Sequence, residues 1–370
     1  MRLNPNEEAL LTLLRKGLLG SEENLPESFS DFQEVARLAR KQTVLSIVAR
    51  VMLSDQRYSS QIPRPQQVKL KSFVVSNAMK YDEMTQTLAR VVSQLHEAGI
   101  EPVLLKGHGL AANYPDPALR QCGDIDLHVG ADSVKAYDVL SASADTIDKR
   151  TAAEYGKHFS AFYKDIEVEV HRHTSSHAPD RFGKAYDKAA ATGLKENLQL
   201  YPVDGVQVAT PAPDFNAYYV FDHLFEHFLM SGIGLRHLCD WMMHLKKYAG
   251  KIDMERLAAT LEGTGMMEPW QVFGNVIVEH LGFPEQDFPF YARSAKADRV
   301  FARIMKEGNF GKDTSYYKGR TSSVLMTKLN SLWFHVSRAV SMMTLFPRHE
   351  LRHLHYLLHR AVQTVRKTVS

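Results

Sequence analysis

The chain has 370 residues, 44% hydrophobic and 24% charged, the balance of an ordinary soluble globular protein long enough for two or three cooperative units. Its net charge of +3 is too small by itself to argue for a nucleic-acid partner. Two cysteines, Cys122 and Cys239, exclude a disulfide framework and zinc-ribbon spacing, so a reducing cytoplasm is expected.

The N-terminus carries acids ahead of a short amphipathic run and has no apolar block with a small-residue cleavage site, so no signal peptide is expected. No stretch approaches the roughly 20 apolar residues of a membrane span. Leu10, Leu11, Leu13, Leu14 and Leu18 form a helical stripe over residues 6–19, stopped by Gly20. Asp31 is placed to cap a second helix running through residues 32–54. After Pro63 and Pro65, a third long helix is expected from Gln66 to Ala98, ended by Gly99.

The pattern then changes. "EPVLLKG" is a short apolar run entering a glycine turn, and "HGLAANY" reads as a short helix stopped by Pro115 and Pro117. "DIDLHV" reads as a strand and residues 133–142 as a helix. "HFSAFYK" and "IEVEVHRH" alternate in period two around Asp165, and "LQLYPV" and "VQVAT" do so around Asp204-Gly205, giving two hairpins. Helical pattern returns from Pro211, with Asp214 as an expected cap and further helices at 254–261, 270–281, 294–306 and across the basic tail. The expected fold class is therefore α+β, with strands concentrated between about residues 102 and 210. The expected units are a helical segment 1–64, an α+β domain 65–210 and a helical region 211–370.

Chemistry concentrates in the middle unit. Asp124 and Asp126 alternate with Ile125 and Leu127, placing two like charges on one strand face, where a cation or strong solvation must offset their repulsion. On the later strand Glu167 and Glu169 share a face opposite Ile166, Val168 and Val170. Setting that strand beside "DIDLHV" would gather Asp124, Asp126 and Glu169, oxygen ligands of the kind that suit Mg²⁺. Such ions can clamp both oxygens of an in-line phosphoryl displacement. The Lys106-Gly107 turn brings backbone N–H groups and a cation toward a phosphate, and Arg120 is a further candidate for the same anion. A pair of aspartates on an exposed strand edge is the simpler alternative for Asp124 and Asp126, and solvated cations for Lys106 and Arg120.

The segment "LLKGHGLAANYPDPALRQCGDIDLHV" followed by "VEVHRH" resembles the DNA polymerase β-like nucleotidyltransferase superfamily, and more narrowly a bacterial family of largely uncharacterised nucleotidyltransferases. The shared features are a Lys-Gly turn, a "Y-P-x-P-x-x-R" segment, "DIDL" and a hydrophobic-acid-hydrophobic-His strand, in that order, over about residues 103–173. The resemblance implies a nucleotidyltransferase-fold core, a small mixed sheet with helices, flanked by N- and C-terminal helical regions. It implies transfer of an NMP from an NTP to an acceptor hydroxyl with pyrophosphate leaving, dependent on Mg²⁺ or Mn²⁺. Asp124, Asp126 and Glu169 would hold the metals, Glu169 also helping to deprotonate the acceptor. Lys106, Gly107 and Arg120 would meet the nucleotide. Strand alternation puts His171 on the Glu169 face, where it could contact the nucleotide, orient Glu169 or be a satisfied, half-buried histidine. The chain departs from the wider superfamily in having Lys-Gly where Gly-Ser is usual, and Glu169 where the third acid is often Asp; Glu167 is then a competitor for that role.

The acceptor implied is a sugar or lipid-linked saccharide, with protein or RNA as the choice of an antitoxin-like modifier. A nucleotide-binding regulatory protein without catalysis is a further alternative. "HLFEH", His223 to His227, matches a zinc-peptidase pattern, yet sits among Phe221, Leu224, Phe225, Phe228 and Leu229 and reads as helix packing with one histidine toward the cleft. His171, His173 and His177 offer a second metal-like cluster, and His158 opens the strand before it. Residues 321–370 carry seven Lys and Arg against one Glu350, a charge of +6 that suits a solvated helix face, an acidic acceptor or peripheral contact with an anionic membrane.

Overall fold

Asn4 starts the first helix, α1 (Pro5–Leu19), by a reciprocal cap in which its side chain accepts from the Glu7 N–H and Glu7 accepts from the Asn4 N–H. Gly20, at φ 72°, ends it in the left-handed conformation that glycine adopts without penalty. The computed structural model describes residues 3–27, 29, 31–175, 177, 180–309 and 336–354.

The single helix expected over residues 32–54 is instead two, α2 (Phe32–Lys41) and α3 (Leu45–Ser54), broken at Thr43 with φ 58°. Tertiary bonding to Gln42 offsets the cost of the break. Its buried amide donates to the carbonyls of Ile304 and Met305, both at 3.2 Å, and accepts the Leu235 N–H at 3.0 Å. The short α4 (Gln56–Ser59) leads to α5 (Arg64–Glu97), a helix of 34 residues whose C-terminal half lies on the sheet.

Seven strands form one mixed sheet in the order β3-β4-β5-β2-β1-β7-β6. They are β1 (Val103–Leu104), β2 (Ile125–His128), β3 (Thr146–Ile147), β4 (His158–Tyr163), β5 (Ile166–His171), β6 (Gln199–Val203) and β7 (Val206–Thr210). Both expected hairpins form, with Lys164 at φ 54°, and Asp204 and Gly205 at φ 40° and 84°, supplying the tight turns. Interspersed are α6 (His108–Ala111), α7 (Ser133–Leu140), α8 (Arg150–Tyr155) and α9 (Arg181–Gly193).

The C-terminal helices are α10 (Pro213–Met230), α11 (Leu235–Lys247), α12 (Met254–Thr264), α13 (Met267–Leu281) and α14 (Ala297–Glu307), followed by helical residues 336–343 and 347–354. Asp214 does not cap α10: Ala212 holds the cap position, Pro213 begins the helix, and Asp214 Oδ2 meets Arg256 Nε at 3.2 Å. Neither α9 nor α11 belongs to the expected set.

The three sequence segments build two cores. Leu127, Ile125, Val168 and Val170 on one sheet face pack under Leu88, Val92 and Leu95 of α5 and Ala136 and Leu140 of α7. The second core joins the leucines of α1 and the apolar faces of α2 and α3 to Phe221, Trp241, Trp270 and Phe301 of the C-terminal helices. With the apolar side chains of β2 and β5 turned to the first core, their polar side chains face the other way, toward α10. None of the described helices is long and apolar enough to cross a membrane.

Candidate active site

Strands β2 and β5 are parallel, and their register sets Asp126 opposite Glu169 and His128 opposite His171. Asp124 lies one residue before β2. Oxygen atoms of Asp124, Asp126 and Glu169 come within 4.8 Å of one another. Glu167 is not part of this cluster; its Oε1 accepts from Ser160 Oγ at 2.7 Å.

Asp126 is sealed from solvent, and its Oδ1 is shared by two donors. Lys106 Nζ forms an ion pair with it, and His171 Nε2 lies 2.8 Å away and 3.2 Å from Glu169 Oε2. Burial alone would raise the Asp126 pKa, but Lys106 and His171 outweigh it and hold the carboxyl below its usual range. The reverse holds for the two cations. Burial opposes the charge of Lys106 and His171, yet the surrounding carboxylates leave both pKa values raised. Asp124 is pushed up, first by burial and then by the charge of Asp126.

The second Asp126 oxygen, Oδ2, is buried with no hydrogen-bond partner among the described residues. An orphaned carboxylate oxygen beside two further acids fits a hard divalent cation with oxygen ligands. His158, Glu169 and His171 form an adjoining group of potential ligand atoms, also within 4.8 Å of one another. Gly107 explains the turn above the acids. A Cβ there would stand 2.8 Å from the Asp124 carbonyl and 3.5 Å from Asp126 Oδ2, and its φ of 59° disfavours any side chain.

These groups open on a cavity of about 260 Å³ between the sheet and α10. Acids Asp124 and Glu169 line one wall; Val220, Leu224, His223 and His227 of α10 and Arg236, His237 and Asp240 of α11 line the other. A family model described as "Uncharacterised nucleotidyltransferase" matches residues 28–280, more than half of the chain and all of this lining. The chain belongs to this nucleotidyltransferase family. It is also similar to a solved structure, that of an antigenic nucleotidyltransferase-like protein from Paracoccidioides brasiliensis. The identity is 12%, over 55% of this chain and 93% of that one, with a TM-score of 0.33. No curated protein matches the chain.

In this member of the nucleotidyltransferase family Lys106, Gly107, Arg120, Asp124, Glu169 and His171 all border the cavity, with Asp126 directly beneath. Arg120 is bound internally, its fork held by Asp240 through two contacts of 2.7 Å, while Tyr114 donates to the same carboxylate at 2.6 Å. Arg120 Nη1 also donates to Cys122 Sγ at 3.1 Å.

His223 and His227 both line the cavity, with ring centroids 4.4 Å apart, and burial holds His227 down to about 4. Glu226 faces a different cavity across α10, lined also by Asp222 and Tyr186, so the helix does not assemble a peptidase site. The expected grouping of His171, His173 and His177 is dispersed: His177 pairs with Asp222 at 3.3 Å, and His171 with the acids. Among the described residues neither histidine set recurs as a potential metal group beyond His158, Glu169 and His171.

Part of the basic tail is internal. Arg338 is buried against Glu307 at 2.9 Å, and the Arg352 guanidinium lies 3.6 Å above the Phe182 ring. Leu351 is exposed. Residues 355–370, including Arg360, Arg366 and Lys367, lie outside the described residues. The sequence reading missed Arg236, His237 and Asp240 because it missed α11. The signal was present as Leu235, Leu238, Met242 and Leu245 at helical spacing after Gly234.

Proposed function

We propose that the chain transfers a nucleoside monophosphate from an NTP to an acceptor hydroxyl, with Mg²⁺ or Mn²⁺ held by Asp124, Asp126 and Glu169. The observation that carries this reading is the parallel register of Asp126 with Glu169, with the Gly107 turn packed against Asp124. This order of turn, acid pair and third acid also supports a relationship to the polymerase β-like superfamily.

In the reaction the acceptor oxygen bonds to the α-phosphorus as the bond from that phosphorus to the β-phosphate oxygen breaks. The electron pair leaves on pyrophosphate, and the hydroxyl proton passes to a carboxylate. Glu169, with 21% of its side chain exposed while Asp126 is sealed, is a carboxylate that an acceptor can reach. A bound divalent cation would supply neutralisation of the charge developing on the phosphoryl oxygens. Gly107 leaves room for the phosphate chain at the turn, and His171 fixes Asp126 and Glu169 relative to one another. The acceptor is a hydroxyl on a sugar, a lipid-linked saccharide, a protein or an RNA.

One observation favours a second reading. Lys106 already seats its ammonium on Asp126, as a nucleotide-binding protein without transfer could retain. The two readings separate on incubation with each α-labelled NTP, Mg²⁺ or Mn²⁺, and host extract. Label transfer by the wild type, lost in Asp126→Ala, supports catalysis; transfer that persists in Asp126→Ala removes the proposed site. NTP binding without transfer or pyrophosphate release supports the second reading.

A further inference from the structure

The α11 wall of the cavity carries a cation without a matching acid. Arg236 lines the cavity, and its Nη1 donates to the Gln121 carbonyl at 2.8 Å. Its Nε is buried with no hydrogen-bond partner, and no carboxylate forms an ion pair with it among the described residues. Asp240, one turn along the same helix, is consumed by Arg120 and Tyr114. Burial, then the neighbouring charge of Arg120, lowers the Arg236 pKa from its usual value. Asp240 and Asp124 attract this charge without pairing with it, and the buried, unbonded Nε is costly unless an anion drawn to the guanidinium offsets it.

The surroundings define that anion. Lys157 and Lys106 border the same cavity, on the side of the acids. The backbone N–H groups of Leu235 and Arg236 are already given to Gln42, so the start of α11 offers the side chain rather than its helix dipole. Arg236 borders the cavity, and a guanidinium carries planar N–H donors suited to the oxygens of a phosphate. The carboxylates beneath Gly107 suit a cation, and Arg236 across the gap suits the anionic group bound to it.

We infer that Arg236, assisted by Lys157, seats the β- and γ-phosphates of the nucleotide, the portion that leaves as pyrophosphate; this rests on the nucleotidyl-transfer reading. The test is calorimetric titration and thermal melting of the full chain with inorganic pyrophosphate, and separately with each NTP plus Mg²⁺. The wild type binds pyrophosphate, and Arg236→Met weakens it at least tenfold. Without ligand, the Met variant melts at the wild-type temperature or above, since it removes a half-buried charge that makes no ion pair among the described residues. A merely structural arginine would instead lower that temperature and leave affinity intact. If Arg236→Met does not fold, Arg236→Gln is measured in its place. Unchanged affinity in the folded variant overturns the assignment. So does a wild type that binds NTP but not pyrophosphate, which leaves the transfer reading standing. Binding of neither pyrophosphate nor any NTP removes both.

Discussion

Asp126 and Lys106 form an ion pair at the floor of the cavity, with His171 on the same carboxylate oxygen. Removing one partner of such a pair strands the other charge out of water. Asp126→Asn is therefore expected to destabilise the chain by about 3–5 kcal/mol, and Lys106→Met added to it to recover a large part of that loss. Urea unfolding of the two single variants and the double variant measures the coupling. Equal and additive losses would show that the pair has no interaction.

Divalent cations should compete with Lys106 for Asp126. Mn²⁺ or Mg²⁺ is expected to raise the melting temperature of the wild type, with EDTA reversing the shift, because binding to the folded state alone stabilises it. Glu169→Gln should weaken the shift and reduce label transfer by on the order of 10²–10³-fold, the usual scale for losing one charge-stabilising group. A full shift in Glu169→Gln would place the cation elsewhere.

His171 gives the site a pH dependence with a definite sign. Its folded pKa is raised above the unfolded value, so its contribution is fully present below about 6.5 and is lost as pH rises through the folded midpoint. His108, His128, His227 and His244 act in the opposite sense. Burial lowers each to about 4, so the unfolded chain takes up protons first and stability falls between about 6.5 and 4. NMR titration of the imidazole C–H signals should show a His171 midpoint above 6.5, and stability curves should lose their alkaline decline in His171→Gln. A His171 midpoint below 6.5 would contradict the bonding seen around Asp126.

Gly107→Ala adds a methyl group 2.8 Å from the Asp124 carbonyl at a backbone φ of 59°. The strain is expected to cost about 1–3 kcal/mol and to displace Asp124. Melting and metal titration should therefore both worsen. Gly205→Ala, also at positive φ but with open space around it, should melt lower while binding metal normally.

The arrangement of the acids was legible because strand alternation is local. Alternating Ile125, Leu127, Val168 and Val170 fixed which face held Asp126 and Glu169, and the Lys-Gly turn marked the approach. What escaped were features decided by distant partners. The break at Thr43 follows from Gln42 reaching Ile304 and Leu235, more than 190 positions away in each case. The commitment of Arg120 depends on Asp240, 120 residues later. Arg236 needed α11 to be recognised as a helix before its direction had meaning.

The leucines of α1 share their core with Trp270 and Phe301, while most apolar side chains of the sheet form the other core. During synthesis α1 can pack at once on α2 and α3, but Trp270 and Phe301, which complete that core, follow some 250 residues later. The sheet unit and its acids have their own core and can close in the interval. The side of the opening helices that meets the C-terminal helices stays uncovered until then, which makes it a natural point of chaperone capture, and of aggregation when translation stalls before α13.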